Sequence, residues 1–191
     1  MKKKISLIDS GAANLHSVYK ALKFIGADVK ITKEEKIIES SDAVVFPGVG
    51  AFGAVIDSVR KNNLEKIIIE SAKSKKPFLG ICVGMQVLFE ESEENPGVKG
   101  LGIFKGKVIK FKKAKKIPHI GWNEVNGQKF YFVHSYYPAP EDKSIIFAQT
   151  EYDSEQFTSA IKKNNLLAVQ FHPEKSGKIG LEFLEKFTKT I

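Results

Sequence analysis

The chain has 191 residues, 42% of them hydrophobic and 27% charged, which suits one ordinary globular domain with a sizeable core. No apolar run approaches the ~20 residues of a membrane span, and a single cysteine, Cys82, excludes an intrachain disulfide and any cysteine-based zinc site. The net charge is +8, carried almost wholly by lysine with Arg60 the only arginine, and because base and phosphate recognition favours arginine, nucleic acid is not an expected partner.

The opening Met1-Lys-Lys-Lys4 imitates the basic start of a signal peptide. The apolar stretch behind it, Ile5 to Ile8, is too short and meets Asp9, so a cytosolic protein is expected. Lys3 to Ile8 reads as a first strand. Asn14 is placed to cap a helix with apolar positions Leu15, Val18, Leu22 and Ile25, and Gly26 to end it in a left-handed conformation. Asp28 to Thr32 and Ala43 to Phe46 read as the second and third strands, the latter stopping at Pro47. Helical spacing covers Gly53 to Arg60 and Leu64 to Ser74. A fourth strand, Phe78 to Ile81, runs into a helix expected to reach about Glu90. This alternation argues a parallel sheet covered by helices.

Beyond Glu94 short β-like segments follow one another: Gly106 to Phe111, Ile120 to Val125, Phe130 to Val133, Ser144 to Thr150, Phe157 to Lys162 and Leu166 to Phe171. Gly, Pro and Asn separate them, as antiparallel hairpins require. Ile179 to Phe187 closes the chain as a helix. The expected architecture is one α/β domain over residues 1–191, parallel in its first half with an antiparallel C-terminal extension. Lys105 to Lys116 holds seven lysines in twelve residues and reads as the solvated face of a strand.

Chemistry gathers around Gly80-Ile-Cys-Val-Gly84. A strand turning sharply into a helix lifts the residue at the turn clear of the sheet, and the flanking glycines permit the bend. Cys82 would sit at a helix N-terminus, where the macrodipole favours thiolate. A free cysteine is otherwise a small buried hydrophobe; the glycine frame is what favours a nucleophile elbow. Gly48-Val-Gly50-Ala-Phe-Gly53 matches a dinucleotide fingerprint literally, but it follows the third strand and lacks the ribose-binding acid after the next. It reads instead as a glycine-freed strip able to aim N–H groups at an oxyanion. A cysteine nucleophile needs a base. His172, at the end of an apolar run, has Glu174 two residues on across Pro173, well placed to orient it. His134, in Tyr131-Phe-Val-His134, is the second candidate, while His119 and His16 are weaker ones.

Taken together, Gly80-Ile-Cys-Val-Gly-Met-Gln86, Pro47-Gly-Val-Gly50 and His172-Pro-Glu174 resemble the class I, triad-type glutamine amidotransferases, in that family's order and separations. Phe89-Glu-Glu-Ser-Glu-Glu94, Pro118-His-Ile-Gly-Trp-Asn-Glu124, Tyr131-Phe-Val-His-Ser-Tyr136 and His172-Pro-Glu-Lys-Ser176 resemble one branch of it, whose members feed a (βα)8-barrel cyclase in histidine biosynthesis. Val83 departs from the leucine usual after the nucleophile, at a position where only the backbone N–H is needed. The resemblance implies a flavodoxin-like mixed sheet with a nucleophile elbow. It implies Cys82 as nucleophile, His172 as base and Glu174 as its orienting group, so that His134 is a neighbour of the substrate site. Val49, Gly50 and Val83 would form the oxyanion hole, and Gln86, Ser135 and Tyr136 would hold glutamine. Trp122, Asn123 and Lys175 would face the cyclase in a heterodimer. No metal or cofactor is implied. The same glutaminase chemistry serving another synthase, such as a sugar-amidating paralogue, and an inactive scaffold subunit are the alternatives.

Overall fold

The computed structural model of the protein describes residues 3–11 and 15–191; Asn14, expected to cap the first helix, lies outside the described residues. The parallel half runs β1 (Lys4–Ile8), α1 (Leu15–Phe24), β2 (Asp28–Thr32), α2 (Glu35–Ser40), β3 (Ala43–Gly48), α3 (Phe52–Lys61), α4 (Glu65–Lys73), β4 (Phe78–Cys82) and α5 (Val83–Gln86). There follow β5 (Phe89–Ser92), β6 (Phe104–Lys110), β7 (His119–Val125), β8 (Gln128–His134), β9 (Tyr136–Pro140), β10 (Ile146–Tyr152), β11 (Glu155–Lys163), β12 (Leu166–Val169) and α6 (Gly177–Thr188).

The main sheet has seven strands in the order β10-β11-β12-β4-β3-β1-β2. The central strands β3 and β4 are buried along their whole length, which is why they read as continuous apolar runs rather than alternating ones. Right-handed crossovers place α1 on one face and α2 to α4 on the other; accordingly α1 packs on α6, and α2 on α4. α1 turns Val18, Ala21 and Leu22 inward. It ends where Gly26 takes a φ of +85°, with Ala27 N–H on the Leu22 carbonyl and Gly26 N–H on that of Lys23, a Schellman closure. Phe46, Phe52, Phe78 and Phe89 are fully buried, each contributing about 1.5–3 kcal/mol by leaving water. No helix among the described residues is long and apolar enough to cross a membrane.

Several expected boundaries move for physical reasons. The elbow helix stops at Gln86 instead of reaching Glu90, because the carbonyls of Val87, Leu88, Phe89 and Glu90 accept N–H groups from residues 100–104. Phe89 to Ser92 therefore becomes a strand, paired parallel with β6. β3 continues through Pro47 to Gly48, opposite Ile81 and Cys82; pairing with β1 has already ended at Val45, so the missing proline N–H breaks no ladder bond on that side. The second half is not purely antiparallel: β12 is antiparallel to β11 but parallel to β4. β9 holds Pro138 and Pro140, tolerated because it is the edge of the small sheet β5-β6-β9. β7 and β8 form a separate two-stranded ribbon, turned by Asn126 and Gly127 with φ of +49° and +78°, the two positive values of a type I′ turn.

The lysine run is a solvated strand face followed by an anchored loop. Lys105 and Lys107 are exposed on β6, and Lys107 pairs with Glu91 of β5. The loop behind it is held by the buried Glu155 carboxylate, which accepts N–H groups from Lys112, Lys113 and Ala114 and the Tyr137 hydroxyl.

Candidate active site

The three parallel strands β3, β4 and β12 are neighbours, so their carboxyl ends open on one edge of the sheet. Gly48 lies opposite Cys82, and Val169 opposite Ile81. The edge therefore carries the Val49–Gly50 strip, Cys82 and the segment leading to His172 side by side.

Cys82 is the junction of β4 and α5, with φ +55° and ψ −116°. A non-glycine residue there stores about 1–3 kcal/mol of strain, which the surrounding backbone enforces. A Cβ on Gly48 would stand 2.6 Å from the Gly84 nitrogen and 2.9 Å from the Val83 carbonyl carbon, and a Cβ on Gly84 would strike the Phe46 carbonyl. β3 and the first turn of α5 thus touch backbone to backbone. Val83 opens α5, so its N–H is among the donors a helix start leaves unpaired. Gly50 has φ +96°, and the strip leads into α3, whose first N–H groups are held by Glu94 Oε2 on Phe52 (2.7 Å) and Asn95 Oδ1 on Gly53 (2.8 Å).

His172 follows β12, its N–H on the Tyr131 carbonyl at 2.9 Å. Pro173 starts a 3-10 turn that brings Glu174 back, so that His172 Nδ1 lies 2.7 Å from Glu174 Oε1 with both side chains buried. The other end of each group, His172 Nε2 and Glu174 Oε2, is buried without a hydrogen-bond partner. Burial works against a charged ring, but Cys82 first and Glu174 second outweigh it and raise His172 to about 10. Nε2 makes no hydrogen bond of good geometry, and the Cys82 thiol is the first of the groups that raise the ring. A cationic imidazole held by a carboxylate beside a thiol is the arrangement for nucleophilic attack followed by proton delivery.

His134 is differently engaged. Its Nδ1 lies 2.9 Å from the Tyr136 carbonyl and its Nε2 3.1 Å from His119 Nδ1, and burial lowers it to about 3. Both ring nitrogens are occupied away from the thiol. His16 is exposed on α1. Gln86 is buried, and its amide donates to the Tyr136 carbonyl and to Gln170 Oε1, both at 2.9 Å. Ser135 and Tyr136 are half-buried at the end of β8 and the start of β9. Trp122 and Asn123 part company: Trp122 is 56% exposed on the outer face of β7, whereas Asn123 turns to the inner face and donates to the Glu151 carbonyl at 2.8 Å. Lys175 is exposed in the turn after His172.

Gln170 escaped the sequence reading. It is fully buried, and its Nε2 lies 3.6 Å from Cys82 Sγ. The signal for it was present: one amide inside the apolar run Leu166 to Phe171, two residues before His172.

The profile of the family "Glutamine amidotransferase class-I" matches residues 6–191. The chain is 49% identical to imidazole glycerol phosphate synthase subunit HisH of Pyrococcus furiosus, over 97% of this chain and 98% of that one. It is 46% identical to the HisH subunit of Methanocaldococcus jannaschii, over 98% and 100%. Among solved structures, a glutamine amidotransferase crystal structure superposes with a TM-score of 0.75 at 18% identity over 98% and 99% of the two chains. PurLQS from Thermotoga maritima gives 0.72 at 17% identity over 100% and 98%. At these identities the two structures speak for the fold.

Proposed function

The chain belongs to the class I glutamine amidotransferase family, and from that membership we propose that it is the glutaminase subunit of an imidazole glycerol phosphate synthase, hydrolysing glutamine and supplying ammonia to a cyclase in histidine biosynthesis. The observation that carries the reading is the buried His172, clamped at Nδ1 by Glu174 and raised first of all by the thiol of Cys82.

The Cys82 thiolate attacks the side-chain amide carbon of glutamine. Negative charge moves to the amide oxygen, where the N–H groups of Val83 and of the Val49–Gly50 strip receive it. The His172 imidazolium gives its Nε2 proton to the departing ammonia, leaving a glutamyl thioester and a neutral ring. That ring then takes a proton from water as it attacks the thioester; glutamate leaves, and thiolate and imidazolium are restored. Glu174 fixes the tautomer and stabilises the cation throughout. Gln86, Ser135 and Tyr136 hold the substrate, with the Gln86 Nε2 committed to Tyr136 and Gln170 and its Oε1 left for glutamine. These steps call on no cofactor. All 191 residues act as one amidotransferase domain, in the cytoplasm, paired one to one with a (βα)8-barrel cyclase. Trp122 and Lys175 face that partner; Asn123 supports the face from beneath. Ammonia passes directly to the cyclase's phosphoribosyl substrate.

The test is glutamate release with and without the cyclase and its phosphoribosyl ligand. Weak turnover alone, strong stimulation by the loaded partner and loss of both in Cys82→Ser are expected. Full turnover without a partner would refute the coupling, and absence of stimulation would point to a different synthase, such as one amidating a sugar.

A further inference from the structure

We propose that the β7–β8 ribbon is the element through which partner docking sets the alignment of Cys82 with His172, with His119 and His134 as positioning residues. This rests on the glutaminase-subunit reading above. Two strands alone are marginally stable; among the described residues this ribbon's backbone bridge to the rest of the chain is Tyr131–His172, and side-chain bonds from Asn123 and Thr150 join it to β10. Its outer face shows Ile120, Trp122 and Val133, 57%, 56% and 36% exposed. Its inner face carries His119, Asn123 and His134.

From that ribbon one route runs to the base and another to the thiol. On the first, the Tyr131 carbonyl accepts the His172 N–H at 2.9 Å. The Tyr131 N–H donates to Ser176 Oγ at 2.9 Å, and that hydroxyl donates to the His172 carbonyl at 2.6 Å. On the second, every donor is forced. The Tyr136 carbonyl only accepts, so His134 Nδ1 carries a proton. Burial keeps His134 and His119 neutral at pH 7, so His134 Nε2 accepts from His119 Nδ1 at 3.1 Å. His119 Nε2 then accepts from Asn123 Nδ2 at 3.4 Å. Asn123 is itself oriented, since its Oδ1 takes the Glu124 N–H at 2.7 Å. Beyond the Tyr136 carbonyl the line continues through Gln86 and Gln170 to Cys82 Sγ.

The nucleophile and the base are thus held from one ribbon, and what lies between them is a contact at His172 Nε2 without good hydrogen-bond geometry. Pressure on the Trp122 face moves both ends at once. Filling a core does not call for histidines here. The pair lies among Phe111, Phe132, Tyr152 and Phe157, where apolar side chains would pack without the cost of burying polar rings.

His119→Phe tests this. It keeps the ring stacking on Tyr152 and Phe132 and removes the Nδ1 proton. Cyclase affinity should hold, while the ratio of stimulated to unstimulated glutamate release should fall about tenfold. Parental stimulation would overturn the proposal, and so would a matching loss of cyclase affinity, which would make His119 a docking residue. A second readout needs no variant: the ring 15N shifts of His119 and His134 should change when the cyclase binds, and unchanged shifts for both would overturn it. An unstimulated parent chain would instead strike the glutaminase-subunit reading itself.

Discussion

Replacing Gly48 by alanine isolates the backbone contact on which the elbow depends. The added Cβ would lie 2.6 Å from the Gly84 nitrogen, where ordinary contact begins at 3.4 Å, so the two segments must part by about 0.8 Å. Neither neighbour is the free end of a side chain, and Gly48 is paired with Cys82 across the β3–β4 ladder. The displacement therefore falls on the Cys82–Val83 turn and on the strip beginning at Val49. Overpacking of this kind costs about 1–3 kcal/mol, and a misplacement near 1 Å lowers turnover by up to about 10²-fold. Urea titration should show a lower midpoint with an unchanged slope, and partner-stimulated glutamate release should fall mainly in kcat. A Gly48→Ala protein with the parental midpoint and turnover would refute the claim that β3 and α5 meet backbone to backbone.

Glu174→Gln keeps a polar group against His172 Nδ1 but removes the charge that stabilises the imidazolium. Turnover should drop about 10²–10⁴-fold with little change in KM, and steady-state kinetics at the parental rate would contradict the role. Cys82→Ala removes the first of the groups that raise His172, so the ring's titration midpoint by NMR should fall below about 10. Because the folded value lies above the ordinary 6.5, His172 stabilises the parent fully below 6.5, and that contribution is lost as pH rises toward 10; in the variant the contribution should be smaller and its loss complete at a lower pH. An unmoved midpoint would show that Cys82 does not act on the ring. Glu155→Gln should destabilise by about 1–3 kcal/mol, since buried hydrogen bonds to a charged acceptor weaken. Burial opposes the Glu155 charge, but the N–H groups of the 112–114 loop and the Tyr137 hydroxyl hold the carboxyl below its usual range. Its contribution is therefore present above that range and lost on acidification. Denaturation profiles that coincide at neutral pH would count against the anchor.

Local chemistry was legible wherever short-range sterics decide the outcome. Gly80, Cys82 and Gly84 announce a sharp strand-to-helix turn because few other residues survive that backbone. Pro173 between His172 and Glu174 announces a local pair. The amphipathic spacing of α1 and the continuous apolar runs of β3 and β4 follow from which faces are buried. The resemblance to the amidotransferases rests on the same residues, and it chose His172 over His134.

Where a segment's partner is distant in the chain, the one-dimensional pattern misled. Met85 to Phe89 has helical spacing, yet the backbone of residues 100–104 takes its carbonyls and turns it into β5. Leu166 to Phe171 reads as one more hairpin strand, but pairing of Leu166–Val169 with β4 places it parallel, and that register brings the segment leading to His172 beside the end of β4. Gln170 lies within an apolar run, and its partners are remote: Gln86 is 84 positions away and Cys82 is 88 away. From the chain alone follow the sharp turn at Cys82 and the local pairing of His172 with Glu174, because each is built within a few residues by steric rules. Only in the folded chain does Asn123 face inward while Trp122 faces out, and does a buried His119–His134 pair lie within that ribbon, because those contacts depend on packing between segments that no local pattern encodes.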